Sequence, residues 1–448
     1  DNLDSLQNAV PNLNLVQGRG SASTANVFIR GVGQPDALQT FDPGVGVYLD
    51  DVYLSRIQGA LMNMYDVERV EVLRGPQGTL YGKNTIGGAV RLITRQPSDA
   101  LRIDASVGTG SYGMREAKAY VSGGLSDTLA ASLSGLVQDR HGLVTDYLTG
   151  RKYNDRGTTS ARAALRWSPS DTFDASLAID WTDQSNALNL GKAEAPLVAV
   201  NLLAPTVPVV LRLPTAGQFD YRAASTLPNN PGQRLKHYGP SLTLNWRLGD
   251  AWRVKSVTAW RSLESAFYVD IDGTELLLGD VFVGLDQEQW SQELQLQYDG
   301  GGRFSGIAGL YWLRENVGSS QKAFADDFLR LGTSKLTFLR TVDDDLTTES
   351  YAAFGQGSFK ATDAITATLG LRFTKEDKKY YRTTTTFSNF AALRGTFIYP
   401  DSKSWNAFTP SLTLDYKLAP GKLLYASVAR GFKSGGFNGR ANTVGETG

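Results

Sequence analysis

The sequence predicts a transmembrane antiparallel β-barrel that follows a compact N-terminal α/β unit. Three observations carry this. From Leu101 onward, apolar and polar residues alternate with period two in one segment after another. The connections between those segments alternate strictly between short and long. Aromatic residues gather near the ends of the apolar stripes, as at the two interfaces of a membrane.

Thr172 to Thr182 shows the alternation: Phe173, Ala175, Leu177, Ile179 and Trp181 share one face, and Asp174, Ser176, Ala178 and Asp180 the other. Thr159–Ser168, Ser241–Leu248, Ile365–Phe373 and Phe408–Leu418 repeat it. A soluble sandwich would alternate too, so the connections decide. Tight turns fall at Gly123–Ser126, Ser168–Asp171, Leu248–Ala251, Asp299–Gly302, Ala361–Asp363 and Ala419–Gly421. Long loops are expected around 141–157, 184–237, 262–285, 317–346 and 376–404. Short turns on the inner side of an outer membrane and long loops outside are the pattern of bacterial barrels. The candidate girdle is Trp167, Phe173, Trp181, Trp246, Trp252, Trp260 and Tyr416.

Composition narrows function by exclusion. The 45 basic and 45 acidic residues balance, without the basic excess of a nucleic-acid binder. There is no cysteine, and the two histidines, His141 and His237, are far apart in sequence, which disfavours thiolate chemistry, catalytic zinc and haem. No nucleophile–base constellation appears, so no catalytic residue is assigned, and no metal ligand or cofactor. The most apolar run, Leu197–Leu211, contains Pro205 and Pro208 and is too short for a membrane helix.

Residues 1–97 read differently. A helical pattern over Asp1–Ala9 precedes strand-like runs at Asn26–Arg30, Val45–Leu49, Val67–Leu73 and Gly88–Thr94, with glycine-rich turns between them, and Pro97-Ser98-Asp99 makes a boundary. Two motifs mimic nucleotide sites. Gly108–Gly113 spells G-x-G-x-x-G but joins two alternating strands, so it is expected to be a hairpin turn. Gly78–Asn84 is one residue short of a P-loop and ends in Asn84, where Mg²⁺ would need a hydroxyl.

The glycines belong to another pattern. Phe28-Ile29-Arg30-Gly31, Val47–Val52, the run Asp66–Gly82 ending Arg74-Gly75-Pro76-Gln77-Gly78-Thr79-Leu80-Tyr81-Gly82, and Asn84–Val90 with Gly87 and Gly88 resemble the plug domain of TonB-dependent outer-membrane receptors. Ser291–Leu294, Tyr351–Gln356 and Arg430–Gly436 resemble the barrel of that family. The resemblance implies a plug over 1–97, held inside the lumen, and over 98–448 the front part of a 22-stranded barrel. About 13 strands fall in this stretch, so about nine more are expected after Gly448.

It further implies a non-enzymatic receptor in the outer membrane of a Gram-negative bacterium, a monomer among lipid and lipopolysaccharide, worked from the periplasm by TonB with ExbB and ExbD. The substrate class it implies is a small molecule or chelate, a ferric siderophore foremost. An aromatic compound or oligosaccharide, and a signal-transducing receptor, are the alternatives. The family places ligand contacts on the apex loops Gln34–Asp42 and Ser55–Asn63, which suggests Gln34, Asp36, Gln39 and Arg56, with Tyr380 and Tyr381 from the outer loops. Arg30 and Arg74 are expected to meet either the barrel wall or carboxylates within the plug. Arg69, between Glu68 and Glu71, is expected to pair locally. Parity turns Glu293 to the lumen, where Arg30 or Arg74 is its expected partner. Asp270/Asp272 and Asp343–Asp345 are expected to be solvated loop charge, with calcium as the alternative.

Overall fold

The computed structural model describes residues 3–18, 21, 24–36, 38–58, 66–214, 217–229 and 231–447. A small strand-built unit lies against the inner face of one large sheet. In the small unit, Val45–Leu49 pairs in parallel with Gly88–Thr94 and antiparallel with Val52–Leu54, and Val67–Arg74 borders Gly88–Thr94. Leu13–Gln17, Ala25–Ile29 and Val32–Gly33 form a second sheet. Valine and leucine at alternate positions interlock between the two: Leu13, Leu15, Ile29, Val47, Val90 and Leu92 are all buried in one core. Each such side chain contributes about 1.5–3 kcal/mol on burial.

Val45–Leu49 and Gly88–Thr94 form over the expected residues, the strand expected over Asn26–Arg30 moves back by one residue to Ala25–Ile29, and that over Val67–Leu73 gains Arg74. Leu13–Gln17, Val32–Gly33 and Val52–Leu54 were not expected. The described part of the helical pattern is a 3-10 turn over Leu3–Asn8, too short to sustain an α-helix, and Asp1 and Asn2 lie outside the described residues. Among the described residues there is no α-helix, so the N-terminal unit is strand-built where an α/β unit was expected.

The large sheet is entirely antiparallel, and neighbours in sequence are neighbours in space. It runs Arg102–Gly110, Met114–Ser126, Leu129–Arg140, Arg156–Ser170, Phe173–Asn186, Gln233–Leu248, Trp252–Val269, Asp280–Asp299, Phe304–Phe324, Leu339–Lys360 and Ile365–Phe387. Gly395–Phe408 and Ser411–Ala419 then form two stretches of one pass beside Ile365–Phe387, and Lys422–Ala429 closes the order. That makes thirteen passes among the described residues, the number the alternation implied. Gly108–Gly113 is the hairpin turn between the first two, with no helix behind it to meet a phosphate.

The outward parity is apolar and exposed: Leu177, Ile179, Trp290, Leu294 and Leu296 are between 41% and 50% accessible, as a lipid face requires. Rings meet in two rows, Trp252–Tyr298–Phe304 near the short turns and Tyr238–Trp260–Trp290 above them. Trp252 to Trp260 is about 27 Å of strand, which at the usual tilt spans most of the roughly 25 Å apolar band.

Three of the five long connections are shorter than expected, while those around 141–157 and 184–237 hold to within a few residues. Strand continues through most of 262–285, 317–346 and 376–404, leaving 270–279, 325–338 and 388–394 as connections, the second with a short hairpin of its own, Leu329–Leu331 against Ser334–Leu336. Above the membrane both faces of a strand are wet. Period-two alternation then fades in runs such as Thr383–Thr386 while the hydrogen-bonded ladder goes on.

Candidate functional site

The N-terminal unit meets the wall through buried charge. Arg56, just beyond Val52–Leu54, forks onto Glu315 of Phe304–Phe324, Nε to Oε1 at 2.7 Å and Nη2 to Oε2 at 2.5 Å, while Nη1 donates to the Gln39 carbonyl at 2.6 Å. Ser55 Oγ and Gln287 Nε2 also donate to Glu315 Oε1, at 2.5 and 3.1 Å. Lys83 pairs with Glu376 of Ile365–Phe387. Lys378, two residues on and on the same face, reaches Asp42 at 2.5 Å and the Gly435 carbonyl at 2.9 Å. Glu376 lies 3.4 Å from Lys378, and Asp42 lies 3.9 Å from Arg56.

Lys83, Glu376, Lys378, Asp42, Arg56 and Glu315 thus form a continuous buried row in which the sign alternates at every step. The N-terminal unit supplies two cations and one anion, and the wall supplies the reverse. Burial alone would raise the Asp42 pKa, but Lys378, Lys83 and Arg56 outweigh it and hold the carboxyl well below its ordinary value. Burial would lower Lys83, yet Glu376 and Asp42 hold it up. Removing any member would strand a buried charge, which costs about 3–5 kcal/mol.

Further contacts flank the row. Asp344 accepts from Gln39 Nε2 at 2.5 Å, Tyr380 OH at 2.6 Å and Arg382 at 3.2 Å. Arg162 of the wall reaches Asp50 at 2.9 Å, and Lys255 reaches Asp51 at 2.6 Å. Two glycines let the unit approach closely. A side chain at Gly82, where φ is +83°, would put a Cβ 2.6 Å from Arg372 Nη2, and one at Gly78 would meet the Arg430 carbonyl at 2.9 Å. Residues 432–440 lie along the outer side of the unit: the Asn84 N–H donates to the Phe432 carbonyl at 2.8 Å, and Lys433 donates to Gln34 at 2.6 Å.

The sequence-predicted residues are placed as follows. Glu293 faces the lumen, but neither Arg30 nor Arg74 is brought to it. Its carboxylate accepts from Gln295 on its own strand, and it borders a cavity of about 190 Å³ with Tyr48, Tyr81, Tyr311 and Arg372. Arg30, in a tight turn at φ +52°, and Arg74 are exposed, and neither has an ion pair among the described residues. The expected lock therefore forms elsewhere, through Arg56 and Lys83. Arg69 pairs locally with Glu71 at 2.9 Å and Glu68 at 3.5 Å.

Gln39, Arg56 and Tyr380 are buried in the network and face no open space. Tyr381 has the opposite parity and is 46% exposed on the outer wall. Gln34 and Asp36 are half-buried, and Asp36 holds Arg440 at 2.6 Å. Of the apex loop Ser55–Asn63, residues 59–63 lie outside the described residues. The sequence pattern assigns none of Glu315, Glu376, Lys378, Asp42 and Lys83 to this interface. The Leu369–Leu371–Phe373 stripe was the signal that would have turned Glu376 and Lys378 inward.

At the outer end, a cavity of about 450 Å³ opens among Tyr147, Lys192, Arg212, Gln218, Asp220 and Arg222. Arg212 lies over the Tyr147 ring at 5.4 Å. His141 sits at the Gly113 turn and His237 is buried beside Arg261 and Asp180.

Comparison with known proteins agrees with this architecture. Residues 1–89 match the TonB-dependent Receptor Plug Domain family, and residues 166–448 match the TonB dependent receptor-like β-barrel family. The pesticin receptor of Yersinia pestis is 34% identical over 173 residues, 38% of this chain and 25% of that protein. The vitamin B12 transporter BtuB of Vibrio vulnificus is 30% identical over 191 residues, 41% of this chain and 29% of its own length. Among solved structures, the ferric yersiniabactin uptake receptor FyuA of Yersinia pestis superposes with a TM-score of 0.77 at 22% identity, over 97% of this chain and 62% of FyuA. Both domain types are matched in their expected order, the barrel match alone covers more than half the chain, and the chain belongs to the TonB-dependent receptors, β-barrels of the outer membrane that carry a plug in the lumen.

Proposed function

We propose that this receptor takes up a scarce, bulky nutrient by active transport, worked by TonB with ExbB and ExbD, and that the nutrient is a ferric siderophore. The observation that carries the reading is the buried row of alternating charges from Lys83 to Glu315. A plug held this way blocks passive diffusion of anything large, so passage needs work from outside the lumen. Pairs of opposite charge also suit reversible seating, because each can be rehydrated and re-formed. The process is transport without covalent chemistry. The receptor acts as a monomer, with lipopolysaccharide around its outer rim.

Two supports bear on the substrate. The catecholate siderophore receptor Fiu of Escherichia coli is a relative, 28% identical over 135 residues. The outer cavity offers Lys192, Arg212 and Arg222 beside Tyr147, which suits an anionic chelate with ring-bearing arms. The test is uptake of radioiron-labelled ferric siderophores by cells that express or lack the receptor, with and without TonB. Receptor-dependent uptake that needs TonB is expected. Uptake indifferent to TonB would refute active transport, and TonB-dependent uptake of vitamin B12 or an oligosaccharide in place of every ferric chelate would refute the substrate.

A further inference from the structure

Nearly every buried carboxylate among the described residues has a cation or a full set of donors. Asp42, Asp66, Asp180, Glu315, Asp344 and Glu376 each lie within 4.0 Å of a lysine or arginine nitrogen. Asp146 has none but is saturated by the Leu148 and Thr149 amides and the Thr149 and Tyr153 hydroxyls. Asp272 and Asp280, 3% and 1% exposed, break the rule, as does their neighbour Asp270.

Each of these three has one satisfied oxygen and one that is not. Asp270 Oδ1 accepts the amides of Asp272 and Gly273 at 3.1 and 2.7 Å, Asp272 Oδ1 accepts the Thr274 amide at 2.8 Å, and Asp280 Oδ1 accepts the Ile271 amide at 3.0 Å. The second oxygen of all three is enclosed and has no hydrogen-bond partner. One carboxylate oxygen from each lies within 4.8 Å of the others, and no ion pair reaches any of them among the described residues. Three anions that converge without a counter-charge are strongly unfavourable unless a cation or protons join them.

We propose that Asp270, Asp272 and Asp280 bind one calcium ion that fastens the external loops together. The donors are all oxygen, without imidazole or thiolate, which selects a hard cation. Calcium–oxygen distances of about 2.3–2.6 Å place ligands on opposite sides of the ion about 5 Å apart, the scale of this cluster. Calcium also accepts irregular coordination, completed by carbonyls and water, where magnesium demands a near-ideal octahedron.

The location gives the ion its role. Gly273 carries its loop past both arms of the 184–237 loop: its carbonyl accepts the Ala224 amide at 2.8 Å, and a Cβ on it would lie 2.4 Å from the Gly191 carbonyl. Val144, Tyr153, Leu188 and Leu227 of the neighbouring loops form the adjoining apolar cluster. Asp272, Gly273 and Thr274 also form part of the wall of the Tyr147–Arg212 cavity. Calcium therefore orders that outer cavity before any ligand arrives.

The test uses the whole receptor purified in detergent and stripped with a chelator. Calorimetric titration with CaCl₂ should show one saturable site per chain, with a Kd of the order of 10⁻⁴–10⁻³ M or tighter, as in extracellular calcium modules. Asp272→Asn and Asp280→Asn should each weaken it at least tenfold, and Asp343→Asn, on the outer wall, should not. Limited proteolysis of the loop 184–237 supplies a second signature. In chelator the two variants should resist cleavage better than the unmodified receptor, because repulsion is relieved, and in calcium the order should reverse. No saturable binding up to 10 mM calcium, unchanged binding in both variants, or equal protection by magnesium would overturn the proposal.

Discussion

Changing Glu315 to glutamine removes one charge from the plug–barrel row while keeping the shape of the side chain. Arg56 would keep its nearest remaining carboxylate, Asp42, only at 3.9 Å, and would face an amide N–H₂ where it now has an oxygen at 2.5 Å. Breaking a buried pair costs about 3–5 kcal/mol, and the residual attraction of Asp42 places this case near 3 kcal/mol. At 1.4 kcal/mol per tenfold, that is roughly two orders of magnitude in the ratio of seated to released plug. The barrel is the internal reference, so the readout is local: amide hydrogen exchange of Val45–Leu49 and Val52–Leu54 against the wall strands. Exchange in the plug strands should quicken about a hundredfold while Phe304–Phe324 holds. Removing both partners together, as Arg56→Met with Glu315→Leu, should recover much of the loss, since the four charges left in the row, Lys83, Glu376, Lys378 and Asp42, then balance. Arg69→Ala, at an exposed pair, should change it by less than about 1 kcal/mol. A Glu315→Gln effect under tenfold, or no larger than that of Arg69→Ala, would refute the account of the row as the lock.

Three further outcomes follow from the same interface. Asp42 is held below its ordinary pKa of 3.8, so its stabilising contribution is fully present above that pH and is lost only as the pH falls further. Plug protection measured by hydrogen exchange should therefore persist from pH 7 to about 4 and fall below it, and Asp42→Asn should flatten this acid limb. Gly75 and Gly82 both have positive φ, but a Cβ at Gly75 meets open space and one at Gly82 meets Arg372. Gly75→Ala should cost about 1–2 kcal/mol of plug stability in denaturant titration, and Gly82→Ala clearly more. Tyr380→Phe deletes a 2.6 Å hydrogen bond to Asp344 and should cost about 1.5–3 kcal/mol in the same titration, whereas Tyr381→Phe on the outer wall should stay within about 0.5 kcal/mol.

What the sequence revealed depends on where lipid enforces a pattern. Between the two rings of aromatics, one face must be apolar, so parity is legible: Trp290, Leu294 and Leu296 point outward and Glu293 inward. Parity fixes a side of the wall and says nothing of height. Glu293 was paired with Arg30 or Arg74 because the depth at which the plug sits is a property of long-range register, which no local pattern records. Glu315 follows Leu310–Leu313, four consecutive apolar residues that erase the alternation, so even its side was illegible. Lys83 was hidden differently, in a near-P-loop whose dismissal was right and whose lysine had another task. Arg56 was singled out for the ligand, and its chemistry, a fork that fits a carboxylate, served the wall instead. The acidic pair Asp270/Asp272 looked solvated because its third member, Asp280, lies across a loop.

The passes of the large sheet differ greatly in length. Arg102–Gly110 has 9 residues and Ile365–Phe387 has 23, about 30 Å and 76 Å of strand respectively. Along the passes described, the wall therefore rises from a low lip at Arg102–Gly110 to a tall parapet at Ile365–Phe387 and drops again at Lys422–Ala429, which has 8 residues. A molecule drifting in along the membrane plane meets open water over the lip and a stiff backstop beyond it. Hydrogen-bonded sheet has already lost the conformational freedom that a loop of equal length would forfeit on contact. A molecule that touched the parapet would therefore land on a wall and not be wrapped by a net.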